Sequence, residues 1–214
     1  MEIDCKSLNC TECCEKYWIT LLPEDAKNMA SELKISEEEF LKNYCTIFIQ
    51  LFPAEFSKNK LKISTDFLPK QIADALKTQL NELPNFVLVL PTLALKKDEF
   101  CIFLENQLCK VHKSKPAQCK FFPFISYEKN PDFTKIYPFC KTLHVKTFYE
   151  IDAHGEEHYK EIFNYFESVK KEGFLKHWKT LPDKGVVVCK GITLGELSAD
   201  EILKMISPIE LISE

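Results

Sequence analysis

The chain has 214 residues, a net charge of −4 and 45% hydrophobic residues, 17 of all residues being Phe. That is enough core for one domain, or one domain with an extension. All 28 basic residues are lysine, so the arginine fork that reads guanine edges is missing and sequence-specific nucleic-acid binding is not expected. None of the five glycines falls in a G-x-G-x-x-G or G-x4-G-K-S/T pattern, which excludes phosphate-cradling nucleotide loops.

The opening MEIDCKSLNC has neither a basic start nor an apolar run and is not a secretory signal. A cytoplasmic location, where thiols stay reduced, follows as the expectation. Leu21–Lys34 reads as a helix with Pro23 and acids in its first turn. SEEEFLKNY follows, with Ser36 and Glu39 at capping-box spacing, so a second helix is predicted. Cys45–Phe52 is rich in β-branched and aromatic residues and predicts a strand. Pro69–Leu83 carries Ile72, Ala73, Leu76 and Leu80 at helical spacing. Phe86–Leu95 contains a strand pattern, FVLVL, and with Pro91 is too short to span a bilayer, so no membrane role is expected. FCIFLE runs into NQLCKVH as a hairpin. Glu156–Trp178 reads as helix, with Tyr159, Ile162, Phe163 and Phe166 on one stripe. GVVVCKG is a short buried strand, and SADEILKMI a final helix capped by Ser198 with Glu201 at the box position. Mixed elements with several short strands give an α+β fold.

The ten cysteines fall into three kinds. Cys45 and Cys189 lie inside apolar runs and read as small buried hydrophobes. Cys5, Cys10, Cys13 and Cys14 form one group, C-x4-C-x2-C-C, and Cys101, Cys109, Cys119 and Cys140 sit in turn-rich segments. A cytosolic chain of this length needs no disulfide scaffold, and catalysis needs one nucleophile and a base rather than eight thiols. Metal ligation uses them all, since tetrahedral zinc and iron–sulfur clusters both take four thiolates. C-x2-C spacing lets two sulfurs converge from a tight turn, and the adjacent Cys14 can reach a second ligand set or bridge two metals. Cys109–Lys120 also holds Lys110, Lys113, Lys115, Lys120 and His112, with no acid. Such a patch would stabilise thiolates, dock an acidic protein or RNA, or stand solvated. His112 lies between two cysteines, and nitrogen is a normal zinc ligand. HGEEH matches H-x-x-E-H, with His154 and His158 as ligands and Glu157 as base, but Gly155 suggests a helix start and short matches arise by chance. His144 and His177 have no partners in the sequence and read as surface or satisfied core residues.

CTECC followed by WITLLPEDAKNMA, then CIFLENQLCKVHKSKPAQCKFFPF and Cys140, resembles the CxxCxxCC cysteine-cluster family (YkgJ-like), a zinc- or iron-chelating domain. The resemblance covers roughly residues 5 to 145. The chain departs from that pattern in four places: four residues rather than two separate Cys5 from Cys10, Lys115-Pro116 stands for Arg-Pro, Cys119-Lys120 for Cys-Arg, and His112 for a tyrosine. The resemblance implies a cysteine-cluster metal-binding domain over residues 1–146 and leaves 147–214 as a mainly helical extension. Flagellin lysine methylases carry a related cluster, but this chain is much shorter than they are and has no glycine-rich methyl-donor loop. Two functions remain open from the sequence. One is a metal-binding protein holding zinc or an iron–sulfur cluster through about eight thiolates; the other is a protein-modifying enzyme carrying the cluster as cofactor or scaffold, for which no catalytic constellation is seen.

Overall fold

A computed structural model describes residues 10–53, 62–123, 132–144 and 152–207. It is 45% helical and 26% strand, the α+β class read from the sequence, with helix in the C-terminal part. The elements in chain order are α1 (Glu12–Lys16), β1 (Thr20–Leu21), α2 (Pro23–Leu33), α3 (Glu37–Tyr44), β2 (Cys45–Pro53), β3 (Lys62–Ser64), α4 (Lys70–Leu80) and β4 (Phe86–Leu95). There follow β5 (Leu104–Glu105), β6 (Leu108–Cys109), α5 (Ala117–Phe121), α6 (Phe133–Ile136), α7 (Asp152–Glu172), α8 (Phe174–His177), β7 (Lys184–Cys189), β8 (Ile192–Ser198) and α9 (Ala199–Ile206). The chain divides into two compact units, each made of two segments: Met1–Phe40 with Leu95–Glu167, and Leu41–Ala94 with Ser168–Glu214.

The second unit is a sheet in the order β4-β2-β7-β8, with β3 antiparallel on β4. The CTIFI run of β2 is buried at every position, as an inner strand covered on both faces requires. β2 pairs with β7 in parallel, Ile47 opposite Gly185 and Leu51 opposite Cys189. β7 then turns back into β8 through Lys190 and Gly191, both at positive φ, the geometry of a two-residue hairpin. α4 lies over β8, where Gln71 Nε2 donates to Glu196 O at 3.3 Å; farther along the helix Gln79 Nε2 donates to Cys189 O at 2.7 Å. Ser198 and Glu201 form the predicted capping box of α9. Cys45 and Cys189 are wholly buried, in keeping with their apolar surroundings.

In the first unit α2 buries Ala26, Met29 and Ala30. The Glu39 N–H donates to Ser36 Oγ at 3.1 Å, so α3 starts where the capping spacing placed it. Phe40 stacks on Phe103 with ring centroids 6.3 Å apart. β5 and β6 form the predicted hairpin, closed by Asn106 and Gln107 at φ 50° and 63°.

The stripe read along α7 is corrected. Phe163 is 63% exposed, while Tyr165 and Val169 are buried. The helix offers apolar residues on adjacent stripes, and the pair four apart faces inward. Tyr159, His154, Glu157 and His158 lie on α7 where side chains fall outside the described residues. Among the described residues no helix is long and apolar enough to cross a membrane.

Candidate metal centre

Cys13 and Cys14 stand on α1, and Cys10 lies just before it. A helix of five residues is too short to hold by itself, so α1 is tied from outside. Thr11 O accepts the Cys14 and Glu15 N–H groups at 2.8 and 3.2 Å. Cys14 O accepts the Cys101 N–H at 2.8 Å, and Glu15 O accepts Lys97 Nζ. The bonds from Cys101 and Lys97 fasten the N-terminal cysteines directly to the start of the second cysteine segment.

That segment is fixed in turn by its own hairpin and by α2. Lys97 and Cys101 form an antiparallel bridge, the Leu104 N–H donates to Cys101 O at 2.9 Å, and the Lys110 N–H to Phe103 O at 2.9 Å. Register places Cys109 opposite Leu104. Phe103 and Val111 are buried and anchor the two arms. Beyond them Glu32 Oε2 accepts the Ser114 N–H at 2.8 Å, and Asp25 Oδ1 accepts the Ala117 N–H at 2.9 Å. Gln118 Oε1 accepts Thr20 N–H and Oγ1–H at 2.7 and 2.6 Å, while its Nε2 donates to Trp18 O at 3.1 Å. Both residues preceding Cys119 are therefore pinned, which fixes where its sulfur starts.

Cys10, Cys13, Cys14, Cys109 and Cys119 line one cavity of about 300 Å3, and His112 lines it with them. Lys115 also lines it and is only 4% exposed. Cys101 is buried nearby and feels the charge of Cys14 and Cys109. Burial pushes the Cys101 thiol up to about 12, with those neighbouring charges adding to the effect. Burial likewise raises Cys109, and it raises Cys119 well above the ordinary thiol range, where repulsion from Cys14, Cys101 and Cys109 adds to it. Lys115 draws Cys109 and Cys119 back down, and Lys97 does the same for Cys14 and Cys101. Cys14 alone among the four is lowered, because Cys13 hydrogen-bonds to it.

Among the described residues, no three His, Cys, Asp or Glu side chains converge into a finished ion-holding group. The thiols line a wall rather than meet at a point. Closing them on an ion takes rotation about their Cα–Cβ bonds and loss of their protons. The donor chemistry nevertheless fits what the family resemblance implies. Thiolates with an imidazole are ordinary zinc ligands, thiolates hold iron–sulfur clusters, and two ammonium groups offset the charge.

The remaining sequence candidates are placed differently. Cys5 lies outside the described residues. Cys140 is buried with Leu143 in an aromatic cluster of Phe122, Phe133, Tyr137 and Phe139, not on the cavity wall. Tyr17, immediately after α1, joins that cluster with its ring 5.7 Å from Phe122. The lysine patch is not one solvated face: Lys115 is buried, and Lys110 Nζ pairs with Glu105 Oε2 at 2.6 Å. Sequence reasoning missed Asp25, Glu32 and Gln118, whose positioning roles leave no local signal because their partners lie 82 to 100 residues away.

No curated protein and no solved structure matches the chain. The model of the CxxCxxCC family, described as "Putative zinc- or iron-chelating domain", matches residues 4–147. Both cysteine segments and every residue of the cavity fall within that match, and the chain belongs to the CxxCxxCC family.

Proposed function

We propose that this protein chelates zinc or an iron–sulfur cluster through the cavity thiols Cys10, Cys13, Cys14, Cys109 and Cys119, with Cys101 behind them. The observation that carries the reading is the cavity itself, to which two cysteine segments far apart in the chain bring five sulfurs. Lys97 and Lys115 supply positive charge where thiolates would form. Thiolate ligation needs reduced cysteines, so the reading places the protein in a reducing, cytoplasmic setting. Zinc bound there would clip α1 to the β5–β6 hairpin, whereas an iron–sulfur cluster would add one-electron chemistry. The protein residues would do the same work for either: present sulfur, exclude water and balance charge.

Anaerobic purification followed by zinc, iron and acid-labile sulfide analysis tests the reading. Stoichiometric metal in the wild type, lost in Cys14→Ser and Cys119→Ser, is the expected result. Sulfide accompanying iron identifies a cluster, and zinc without sulfide identifies the clip. A folded wild type that is isolated metal-free and takes up neither ion overturns the proposal.

A further inference from the structure

Among the described residues, His112 is the side chain on the thiol cavity whose buried nitrogen asks for a partner. Its Nε2 is shut off from solvent and makes no hydrogen bond. A buried polar atom left so is unfavourable and calls for something to satisfy it. Val111 next to it is buried and holds the backbone in place, and Lys115 takes up the positive charge at this wall. Cys109 and His112 also repeat the x2 spacing of Cys10 and Cys13, so each cysteine segment presents a pair of donors from one tight turn.

The geometry points to His112 Nε2 as a nitrogen ligand that joins the cavity thiolates around a tetrahedral divalent ion. This inference rests on the chelation reading, and the two can fail separately. The set so formed is mixed sulfur and nitrogen, which suits zinc and distinguishes this chain from one with tyrosine at the same position.

Anaerobic Co2+ and Zn2+ titrations of the full chain provide the test. In wild type, Co2+ should give thiolate-to-cobalt charge-transfer bands and tetrahedral ligand-field bands. His112→Ala should keep the charge-transfer bands, shift the ligand-field bands and weaken binding by about tenfold or more, no less than the loss of a supporting partner. Lys27→Ala, an exposed residue of α2 that is not part of the cavity lining, should leave both unaltered. X-ray absorption of the wild-type zinc protein reads the ligand atoms without any substitution, and should find nitrogen beside sulfur. An all-sulfur shell, or identical spectra and affinity in His112→Ala, overturns the role of His112 and leaves chelation standing. Failure of the wild type to bind either ion overturns the role of His112, and overturns chelation as well if the isolated protein also holds no iron and no acid-labile sulfide.

Discussion

Asp25 shows how one side chain can set a site it does not belong to. Its carboxylate accepts the Leu22 N–H at 2.9 Å, closing the start of α2, and the Ala117 N–H at 2.9 Å, two residues before Cys119. Asp25→Ala leaves two N–H groups without partners, and a buried orphan donor costs about 1–3 kcal/mol. Relief of the buried charge offsets part of this, so a loss of about 2–3 kcal/mol by urea unfolding is expected. Burial raises the folded-state pKa of Asp25 above the ordinary 3.8, outweighing the two hydrogen bonds and Lys120. A raised folded value means that its contribution to stability is complete below the unfolded pKa and fades as pH climbs through the folded one. The stability gap between wild type and Asp25→Ala should therefore widen on acidification from neutral towards pH 4. A gap that narrows would show that hydrogen bonding, not burial, governs this carboxyl. In the sequence Asp25 is only an acid in a helix's first turn. What makes it matter is a partner 92 residues away, and no local pattern carries that.

Elements with a strong period were legible. α4 and α9 follow from apolar spacing and caps, β2 from its β-branched run, and the β5–β6 hairpin from two short apolar runs facing a turn. β8 escaped because its burial pattern is mostly exposed or intermediate, with little apolar alternation to announce a strand. The parallel pairing of β2 with β7 escaped because the strands are distant in the chain, yet one residue in β7 records it. Gly185 sits opposite Ile47, and a Cβ there would meet Ile47 O at 2.6 Å as well as the Ile202 side chain. The backbone carbonyl cannot yield as a side chain can, so overpacking should be costly. Gly185→Ala is expected to destabilise by about 1–3 kcal/mol, read as a lower urea midpoint at unchanged slope. Ser198→Ala, which removes only the cap of α9, should cost about 1 kcal/mol. Equal losses from the two would mean that the close approach at Gly185 is relieved cheaply.

At the scale of the whole molecule, cysteine counting identified both segments that reach the cavity, since closely spaced cysteines are legible without knowing the fold. It did not separate Cys140, whose aromatic surroundings arise only when Tyr17, Phe122 and Phe139 come together. Structural zinc in thiol sites contributes on the order of 10–16 kcal/mol, against about 5–15 kcal/mol for a typical domain. On the chelation reading, stripping the metal should lower the melting temperature more than any packing substitution above. Cys119→Ser should melt low with or without a chelator, while Cys189→Ser, buried in β7 away from the cavity lining, should stay close to wild type and keep its response to the chelator. Identical shifts for the two serine variants would refute this division. The interleaving of the units also has a consequence during synthesis. Residues Leu41–Ala94, which belong to the other unit, separate Cys14 from Cys101. At about 5–20 residues per second, the ribosome releases the first thiols on the order of ten seconds before their counterparts, and through that interval the nascent chain carries them unsheltered from oxidants and stray ions.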